Sequence, residues 1–344
     1  MKTLVTGGAG FIGSHLTEHL LAAGDEVTVL DDLSTGGLGN LAGVAGHEGL
    51  RVVTGSVCDE PVVRRWVSAV DRVFHLGAAV GLFSVLDDPL RGLRTNIHGS
   101  ETVLAAAHRH DVPILMASTS EVYGKNTKPG LTEQDDRILG SPLVSRWTYA
   151  EAKAVAESLT HAYVVKHDLA AVTVRLFNTV GPRQTGRYGM VVPRFVGQAL
   201  AGDPLTVYGT GEQRRCFCHV LDVVPALVAL LADEGAHGDV FNLGGSEQVT
   251  VGELARRVIA RTSSSSAIVH VDYRQAYGDG FEEVPSRLPD CGKALRRIGF
   301  RPRRDLDTII ADVAADHRTD SVSPTDNVSP TDSVQSAHSA ADLG

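Results

Sequence analysis

Tyr149 and Lys153 are the pair of residues whose types and spacing point most directly to catalysis. They lie four residues apart in a segment predicted to be helical, so their side chains share one face. A free tyrosine has a pKa of ~10, which is too high for a base at neutral pH, but a neighbouring ammonium group favours the phenolate. We therefore predict that Tyr149 takes a proton from a substrate hydroxyl and that Lys153 is its electrostatic partner.

Three hydroxyl groups and a carboxylate precede this helix. Ser118, Thr119 and Ser120 come at the end of a predicted strand, and Glu121 follows them. We expect Thr119 to hydrogen-bond the reacting hydroxyl and to relay its proton. Ser120 and Glu121 complete the set of predicted catalytic residues. Such a set suits oxidation of a secondary alcohol, in which a base takes the proton while hydride leaves the carbon.

A glycine-rich loop near the start of the chain indicates what accepts that hydride. Gly7, Gly10 and Gly13 lie between a predicted strand and a predicted helix. In dinucleotide-binding loops the first glycine allows a tight turn, the second lets the backbone approach a pyrophosphate, and the third lets helix and strand pack closely. The helix N-terminus, which includes Phe11 and Ile12, adds amide donors and a partial positive charge. The loop therefore predicts a bound dinucleotide.

An acidic residue at the end of the second predicted strand indicates which dinucleotide binds. Asp31 follows Gly13 by about 20 residues, the usual distance for a carboxylate that binds the adenosine ribose hydroxyls. A carboxylate in that place repels a 2′-phosphate, so the sequence favours NAD over NADP. We group Asp32 with Asp31 as a cofactor ligand. Tyr149 and Lys153 are also expected at the cofactor, where Lys153 would bind its ribose.

The elements that must position these residues follow a regular pattern. Over the first 180 residues short apolar runs alternate with helical patterns, which is typical of a parallel sheet with helices on both faces. We predict strands at 114–117 and 240–242, and helices at 95–110, 148–167 and 191–201. We predict an α/β fold with a Rossmann-type doubly wound parallel sheet at 1–180 and a smaller α/β substrate-binding domain formed mainly by 181–319. A polar segment with a repeated VSPTD motif, 320–344, is predicted to be a disordered tail.

Composition limits the other partners. The net charge of −9 argues against a nucleic-acid binder, which carries a basic face. The four cysteines are too scattered for a disulfide framework, and we expect no metal site at Cys216-x-Cys218-His219. The first strand leaves no room for a signal peptide, and no apolar run approaches the ~20 residues that span a bilayer. We therefore predict a cytoplasmic protein that does not contact a membrane.

A series of motifs runs through the chain from about residue 2 to 315. They are TGGAGFIG (6–13), HLGAA (75–79), TNIHG (95–99), STSEVYG (118–124), YAEAK (149–153), FNTVGPR (177–183), LTVYG (205–209), RCF (215–217) and RLPD (287–290). With these motifs in this order, the sequence resembles the extended short-chain dehydrogenase/reductase family, in its nucleotide-sugar epimerase, decarboxylase and dehydratase branch.

The resemblance implies further residues of the cofactor site and one departure. The additional residues expected near NAD are Leu76, Ala78, Asn96 and Ser118. The family often has an Asp near the adenine after the third strand, whereas this chain has Ser56, which leaves open whether Asp59 replaces it. A homodimer is also a family expectation.

The resemblance further implies a UDP-sugar substrate. The residues expected to bind it are Asn178, Arg183, Val192, Thr206, Tyr208, Arg215 and Arg287. By the family pattern, Asn178 and Arg215 would reach the diphosphate or the nucleotide ribose, and Arg287 would add a second cation to the diphosphate. Residues 206–208 would line the base. Arginine suits a diphosphate because its planar guanidinium group binds phosphate oxygens in pairs.

Reactions of this branch begin by oxidising sugar C4 to a ketone. A 4,6-dehydratase uses an Asp-Glu pair after the threonine, but Ser120 precedes Glu121 here, so we rank this reaction third. A UDP-glucuronate decarboxylase, which would give a UDP-pentose, resembles 118–124 more closely. Its family pattern has Asp-Glu-Gly after the catalytic tyrosine, however, and Tyr149 is followed by Ala-Glu-Ala. Decarboxylase is therefore our second hypothesis.

A 4-epimerase needs only reversible hydride transfer and a pocket in which the keto sugar can turn over. The segment 177–183, followed by Gln184, resembles uronate epimerases, in which the arginine approaches the sugar carboxylate or the diphosphate. Our leading hypothesis is thus a UDP-sugar 4-epimerase that converts UDP-glucuronate to UDP-galacturonate. A non-catalytic NAD-binding or sensor protein is the alternative of another class. Such a protein should have lost Thr119, Tyr149 or Lys153, and all three are present.

Overall fold

The computed structural model describes residues 1–80, 88–186, 189–277 and 282–320. Beyond its first residue, the predicted tail at 320–344 lies outside the described residues. None of the helices in the described ranges is long and apolar enough to cross a bilayer.

Strands and helices alternate regularly up to β6 and form shorter units after it. The strands are β1 (Lys2–Thr6), β2 (Glu26–Asp31), β3 (Leu50–Thr54), β4 (Arg72–His75), β5 (Ile114–Thr119), β6 (Ala171–Leu176), β7 (Thr179–Val180), β8 (Leu205–Tyr208), β9 (Arg214–Cys216), β10 (Cys218–His219), β11 (Val240–Leu243), β12 (Gln248–Thr250), β13 (Ile268–Val271) and β14 (Ser286–Arg287). The helices are α1 (Phe11–Ala22), α2 (Glu60–Val67), α3 (Pro89–His110), α4 (Thr148–His167), α5 (Val191–Ala201), α6 (Val220–Ala232), α7 (Val251–Thr262), α8 (Tyr273–Tyr277), α9 (Gly292–Ile298) and α10 (Leu306–Asp320). Short 3-10 helices occupy Leu38–Val44, Ser120–Tyr123, Ser145–Trp147 and Glu234–Ala236.

A seven-stranded sheet in the order β11-β6-β5-β4-β1-β2-β3 forms the centre of the described structure. Every neighbouring pair is parallel, with Thr3 opposite Val27 on one side of β1 and opposite Arg72 on the other. The succession of strands reverses between β1 and β4, the switch point at which open α/β sheets bind their ligands. The prediction of a Rossmann-type doubly wound fold is confirmed.

Helices cover both faces of this sheet because its strands are apolar on both sides. Helices α1 and α6 pack on one face, around buried side chains that include Leu16, Phe74 and Val223. Helices α2 and α3 cover the other face, around Leu4 and Val73, and α4 packs beside α3. The ends of the strands remain open for a ligand.

A second cluster of buried apolar side chains belongs to residues after 180. Helices α5, α7 and α10 pack around it with the parallel pair β8 and β13, and it includes Phe195, Val207 and Leu254. Beside it lies a three-stranded sheet in the order β12-β9-β14. This sheet carries Arg215 and Arg287 opposite each other on neighbouring strands.

The predicted division of the chain at residue 180 does not coincide with the limits of the central sheet. Strand β11 pairs with β6 and completes that sheet, and α6 packs on α1. The second half of the chain therefore contributes to both units. That 181–319 mainly forms a substrate-binding domain stays a prediction.

The catalytic elements match their predicted positions closely. Strand β5 extends two residues beyond the predicted 114–117, so Ser118 and Thr119 lie at its carboxyl end. Helix α4 spans 148–167, as predicted. Because both elements are long and regular, they hold their side chains at fixed places beside the switch point.

Candidate active site

One cleft at the open edge of the sheet brings together most of the residues that the sequence singles out. The predicted residues that line it are Gly7, Gly10, Phe11, Ile12, Gly13, Asp31, Asp32, Leu76, Ala78, Ser118, Thr119, Ser120, Glu121, Tyr149, Lys153, Asn178, Arg183, Val192, Tyr208 and Arg215. Three predicted residues lie outside this lining: Asn96, Thr206 and Arg287. The cleft thus joins the glycine loop, the catalytic helix and the second half of the chain.

The backbone of the glycine loop packs so closely against neighbouring backbone that side chains at Gly7 and Gly13 would clash with it. Gly7 has a φ of +71°, and a Cβ there would lie 2.7 Å from the Gly77 amide nitrogen. A Cβ on Gly13 would lie 2.0 Å from the Gly7 carbonyl oxygen, which is closer than any real contact. The loop therefore leaves its backbone accessible at the N-terminus of α1, which fits a dinucleotide pyrophosphate.

Asp31 supports the glycine loop directly. Its Oδ2 accepts a hydrogen bond from the Ala9 amide at 2.9 Å, and its Oδ1 accepts one from the Leu33 amide at 2.8 Å. Burial raises the pKa of this carboxyl, and the two amide hydrogen bonds oppose that effect. Asp59 instead caps α2 by accepting from the Val62 amide at 3.2 Å. It therefore serves a helix start rather than replacing the missing adenine ligand.

Asn96 acts on the loop after β4. Its side-chain oxygen accepts from the Ala79 amide at 2.9 Å, and its nitrogen donates to the Ala79 carbonyl at 3.0 Å. The backbone that carries Leu76 and Ala78 into the cleft is thereby held in place. Asn96 supports these two lining residues from behind.

The predicted catalytic side chains meet at the start of α4. The Thr119 side chain lies near the Tyr149 hydroxyl, and both residues line the cleft. Burial and the negative charge of Glu121 raise the pKa of Tyr149, and the nearby Thr119 side chain opposes them by lowering it. Lys153, one turn along, donates to the Ala117 carbonyl at 2.9 Å, and burial lowers its pKa to about 8.

A buried ion pair lies beneath these residues. Glu157, one turn beyond Lys153, accepts from Arg175 Nε at 3.0 Å and from its Nη2 at 2.8 Å. Glu157 also accepts from the Ser118 hydroxyl at 2.5 Å. Ser118, predicted as a cofactor ligand, therefore donates its hydroxyl hydrogen to the protein. Tyr149, Lys153 and Glu157 form one line along the buried face of α4.

Glu121 lies between two arginines. Arg287 Nη1 is 2.5 Å from one carboxylate oxygen of Glu121, and Arg146 Nη1 is 3.4 Å from the other. Burial alone would raise the pKa of Glu121, but the charges of Arg287 and Arg146 lower it to about 2. The Glu121 carboxylate is therefore ionised at neutral pH. The Nε of Arg287 is buried and has no hydrogen-bond partner among the described residues.

Asn178 and Arg215, both predicted to reach the diphosphate or the nucleotide ribose, differ in their surroundings. Arg215 is paired with Glu283 and also donates to the Val284 carbonyl at 2.9 Å. Asn178 has a φ of +35° and donates from its side-chain amide to the Cys216 carbonyl at 2.9 Å. Both residues line the cleft.

Arg183 is directed away from the catalytic residues. Its Nη2 is 2.7 Å from a Glu18 carboxylate oxygen, its Nη1 donates to the Ser14 hydroxyl at 3.3 Å, and its amide donates to Asp316 at 2.6 Å. The guanidinium group of Arg183 therefore joins the loop after β7 to α1, and its backbone amide joins the same loop to α10. This geometry does not favour the predicted contact of Arg183 with a sugar carboxylate.

The predicted base-binding residues are arranged around Arg194. Its guanidinium carbon lies 4.4 Å from the centre of the Tyr208 ring, and its Nη1 donates to the Thr206 carbonyl at 2.7 Å. Gln198 also donates to the Thr206 hydroxyl, at 3.0 Å. Thr206 thus fixes α5 against β8, while Tyr208 and Val192 face the cleft.

Several residues of the cleft are absent from the sequence prediction. They are Arg146, Arg194, Tyr273 and Glu283. Arg146 had a detectable signal, because it precedes Tyr149 by three residues and so lies one helical turn away. Glu283 had none, because its partner Arg215 is distant in the chain. Within the described ranges, no cluster of His, Cys, Asp or Glu side chains is arranged to hold a metal ion.

Comparisons with known proteins agree with this geometry. Residues 3–244 match the model of the NAD dependent epimerase/dehydratase family. A UDP-N-acetyl-alpha-D-glucosaminuronate decarboxylase from Bacillus cytotoxicus is 39% identical over 302 residues, which cover 88% of this chain and 92% of that protein. UDP-glucuronic acid decarboxylase 1 from Xenopus tropicalis is 35% identical over 303 residues, covering 88% of this chain and 68% of that protein.

A solved structure shares the whole fold. The UDP-glucose 4-epimerase from Thermotoga maritima, crystallised with UDP-glucose, superposes with a TM-score of 0.83 at 30% identity, covering 93% of this chain and 99% of that one. The family match spans the glycine loop, Asp31, Thr119, Tyr149 and Lys153, and the predicted NAD cofactor is confirmed at the level of the family. The chain belongs to the NAD-dependent epimerase/dehydratase family.

Proposed function

We propose that the protein is an NAD-dependent decarboxylase of a UDP-hexuronate. The observation that carries this proposal is the ionised Glu121 held between Arg287 and Arg146 beside Tyr149. Two relatives of known name are decarboxylases of UDP-linked uronates. This reading replaces the 4-epimerase as the leading hypothesis, because the arginine that favoured an epimerase, Arg183, is paired with Glu18.

The glycine-loop side of the cleft would hold the cofactor in this proposal. The backbone of Gly10, Phe11 and Ile12 at the N-terminus of α1 would bind its pyrophosphate, and Asp31 and Asp32 would bind the adenosine ribose. When bound, NAD takes a hydride from sugar C4 and later returns it. Ser118, Leu76 and Ala78 line the remainder of this side.

The proton at the C4 hydroxyl is handled by the side chains of α4 and β5. Thr119 accepts or donates at the substrate hydroxyl and connects it to Tyr149, whose hydroxyl lies near its side chain. Because burial and Glu121 raise the pKa of Tyr149, the phenolate depends on nearby positive charge. Lys153, one turn along the same helix face, supplies that charge when it is protonated.

Loss of CO2 follows from oxidation at C4. A 4-keto uronate is a β-keto acid, so its C5–C6 bond breaks with the electron pair moving into the C4 carbonyl, and CO2 leaves. Arg287 and Arg146 supply positive charge for the uronate carboxylate and for the negative charge that develops on the ring. A proton from water then reaches C5. Glu121, with a pKa of about 2, orients the arginines and that water rather than donating its own proton.

The same charges weaken the case for an epimerase. Epimerisation requires the keto sugar to turn over between two hydride transfers, so the nucleotide must be gripped while the sugar is free. A uronate carboxylate bound by Arg146, which lines the cleft, with the charge of Arg287 behind Glu121, would hold the sugar in one orientation. The cluster around Glu121 therefore supports a reaction in which the sugar does not rotate.

The test is product analysis with two substrates that differ at C2. The NAD-loaded protein is incubated with UDP-glucuronate and, separately, with UDP-N-acetylglucosaminuronate, and released CO2 and the nucleotide sugar are measured. We expect CO2 in equal amount to the sugar consumed and a UDP-pentose, with or without the acetamido group. UDP-galacturonate without CO2 would restore the epimerase hypothesis. Turnover of UDP-glucose with no reaction of either uronate would reject a carboxylate substrate altogether.

The quaternary structure is also a proposal. The family resemblance predicts a homodimer, and light scattering of the purified protein tests it. A mass of a single chain at working concentration would contradict this expectation. The predicted cytoplasmic location likewise stays a proposal.

A further inference from the structure

Glu282 connects Lys125 to two residues that immediately precede the catalytic helix, Arg146 and Trp147. Its Oε2 accepts a hydrogen bond from the Trp147 indole nitrogen at 2.7 Å and lies 2.7 Å from Lys125 Nζ. Its backbone carbonyl accepts from Arg146 Nε, also at 2.7 Å. One residue of the second half thus holds both Arg146 and Trp147, which immediately precede α4.

The bond between Glu282 and Trp147 joins a partly exposed carboxylate to a buried indole. The Trp147 side chain is fully buried, so its indole N–H needs an acceptor within the protein, whereas the Glu282 side chain is 35% exposed. On the Gly140 side the contact is close, since a Cβ there would lie 2.1 Å from the indole nitrogen and 2.6 Å from Glu282 Oε2. A shift of Glu282 alone would take this acceptor from the buried indole N–H, which is costly, so we expect Trp147 to move with it.

The residues that follow Glu282 lead to the proposed diphosphate site. Glu283 is paired with Arg215, and the Val284 carbonyl accepts from the same guanidinium group at 2.9 Å. Strand β14 then places Arg287 against Glu121. The segment 282–287 therefore connects Arg215 at one end of the cleft to the beginning of α4 at the other.

We propose that Glu282 is a positioning residue, which couples occupancy of the diphosphate site to the placement of Tyr149 through its hydrogen bond to Trp147. The inference rests on the proposed function only through its UDP-linked substrate, whose diphosphate we assign to Arg215 in the cleft. A diphosphate competes with Glu283 for Arg215, and the adjacent Glu282 transmits the rearrangement. Tyr149 lies two residues beyond Trp147, in the first turn of α4, and therefore follows its movement.

The charge of Glu282 suits this role. The hydrogen bond from Lys125 has the largest effect on the pKa of Glu282, and the one from Trp147 adds to it. Both lower that pKa, so the Glu282 carboxylate is ionised at neutral pH. Lys125 and Arg146 also lie over the Trp147 ring, 5.6 Å and 4.9 Å from its centre. The indole is thus surrounded by charges, and its fluorescence responds to any change in their arrangement.

Trp147 provides a direct readout. The chain contains two tryptophans, and the other, Trp66, lies on α2 outside the cleft, so Trp66→Phe leaves Trp147 as the single reporter. We expect UDP to change the emission of the NAD-loaded Trp66→Phe protein. Adding Glu282→Ala should abolish that change while calorimetry still detects bound UDP. Glu282→Gln keeps an oxygen acceptor for the indole and should retain most of the change.

Kinetics provide the second readout. Glu282→Ala should lower kcat about tenfold with KM changed less than about threefold, because misplacement of Tyr149 affects chemistry more than binding. Trp147→Phe should have the same effect. The matched control is Glu60→Ala, which removes an exposed carboxylate paired with Arg64 at 3.7 Å and should change neither readout.

The outcomes separate this inference from the proposed reaction. An unchanged emission response and unchanged kcat in Glu282→Ala would overturn the coupling, even if CO2 is released as proposed. A response that depends on Glu282 would support it even if the product were not a UDP-pentose. Bound UDP that leaves the emission of the Trp66→Phe protein unchanged would also overturn it.

Discussion

Glu121 and Arg287 are 166 residues apart in the chain and form an ion pair 2.5 Å long. Arg287 is 4% exposed, so its charge is compensated mainly by this partner. The contact fixes the second half of the chain against the carboxyl end of β5, directly beside Tyr149. The placement of the catalytic residues in the first half therefore depends on Arg287, which belongs to the last of the family motifs, RLPD (287–290).

Replacing Arg287 by leucine should lower CO2 release by at least about 100-fold, since the charge that faces the uronate carboxylate is lost. The measurement is initial-rate CO2 release from UDP-glucuronate, with folding checked by circular dichroism. Arg296→Leu, at an exposed position on α9, is the matched control and should keep the parent rate. Equal rates in both variants would contradict the role of Arg287.

Replacing Tyr149 by phenylalanine should lower kcat roughly 10³-fold, the usual contribution of a proton-transfer residue, while NAD stays bound. Bound NAD is measured after denaturation of the desalted protein. Tyr163→Phe, on the same helix but in contact with His108 and His167, is the control. Activity retained in Tyr149→Phe would remove Tyr149 as the base.

Replacing Gly13 by alanine should prevent NAD binding, because the added Cβ would lie 2.0 Å from the Gly7 carbonyl oxygen. Gly37→Ala is the control: a Cβ there meets nothing within 4 Å, and the residue's backbone is extended. NAD content and thermal unfolding of the two variants give the comparison. Tight NAD binding by Gly13→Ala would show that the loop can relax.

His75 should make the protein less stable in acid. It is fully buried, its Nδ1 lies 2.8 Å from the Thr6 hydroxyl, and burial, with the Lys153 charge, lowers its pKa from 6.5 to about 3. The unfolded chain binds this proton first, so stability is full above pH ~6.5 and is lost as the pH falls towards about 3. The loss is at most about 1.4 kcal/mol per pH unit.

The measurement for His75 is denaturant unfolding at pH ~7 and pH ~5. His75→Asn should reduce the difference between the two values, whereas His161→Asn, an exposed position on α4, should leave it unchanged. A difference that stays the same in His75→Asn would assign the acid sensitivity to other groups.

Local sequence signals were sufficient to predict the bounds of an element where that element alone determines its geometry. The boundaries of α4 and α5 agree with the prediction because apolar periodicity and neighbouring turns define them. Helix α3 begins at Pro89 rather than at 95, and the cause is local too: Asp88 caps it by accepting the Arg91 amide at 2.9 Å. Strand β11 was predicted, but its partner was not, because strand pairing depends on the whole topology.

In the candidate site, too, contacts within one element could be predicted, whereas partners distant in the chain could not. The position of Tyr149 beside Lys153 and Thr119 follows from one helix and the strand before it. The partners of Arg183 and Arg215 are set by residues far away in the chain, Glu18 and Glu283, which a single sequence does not place. For that reason the sequence directed Arg183 to the substrate, and only the folded chain shows it bound to α1.

The pairing of strand β11 with β6 also affects how the chain folds during synthesis and which fragments of it can fold alone. A growing chain cannot complete the central sheet until Val240–Leu243 has left the ribosome, and until then β6 has an unpaired edge. The apolar surface that α6 covers is bare over the same interval. A fragment ending at residue 180 would therefore tend to self-associate. The cofactor unit can be transplanted as a folded module only together with the residues that return to it.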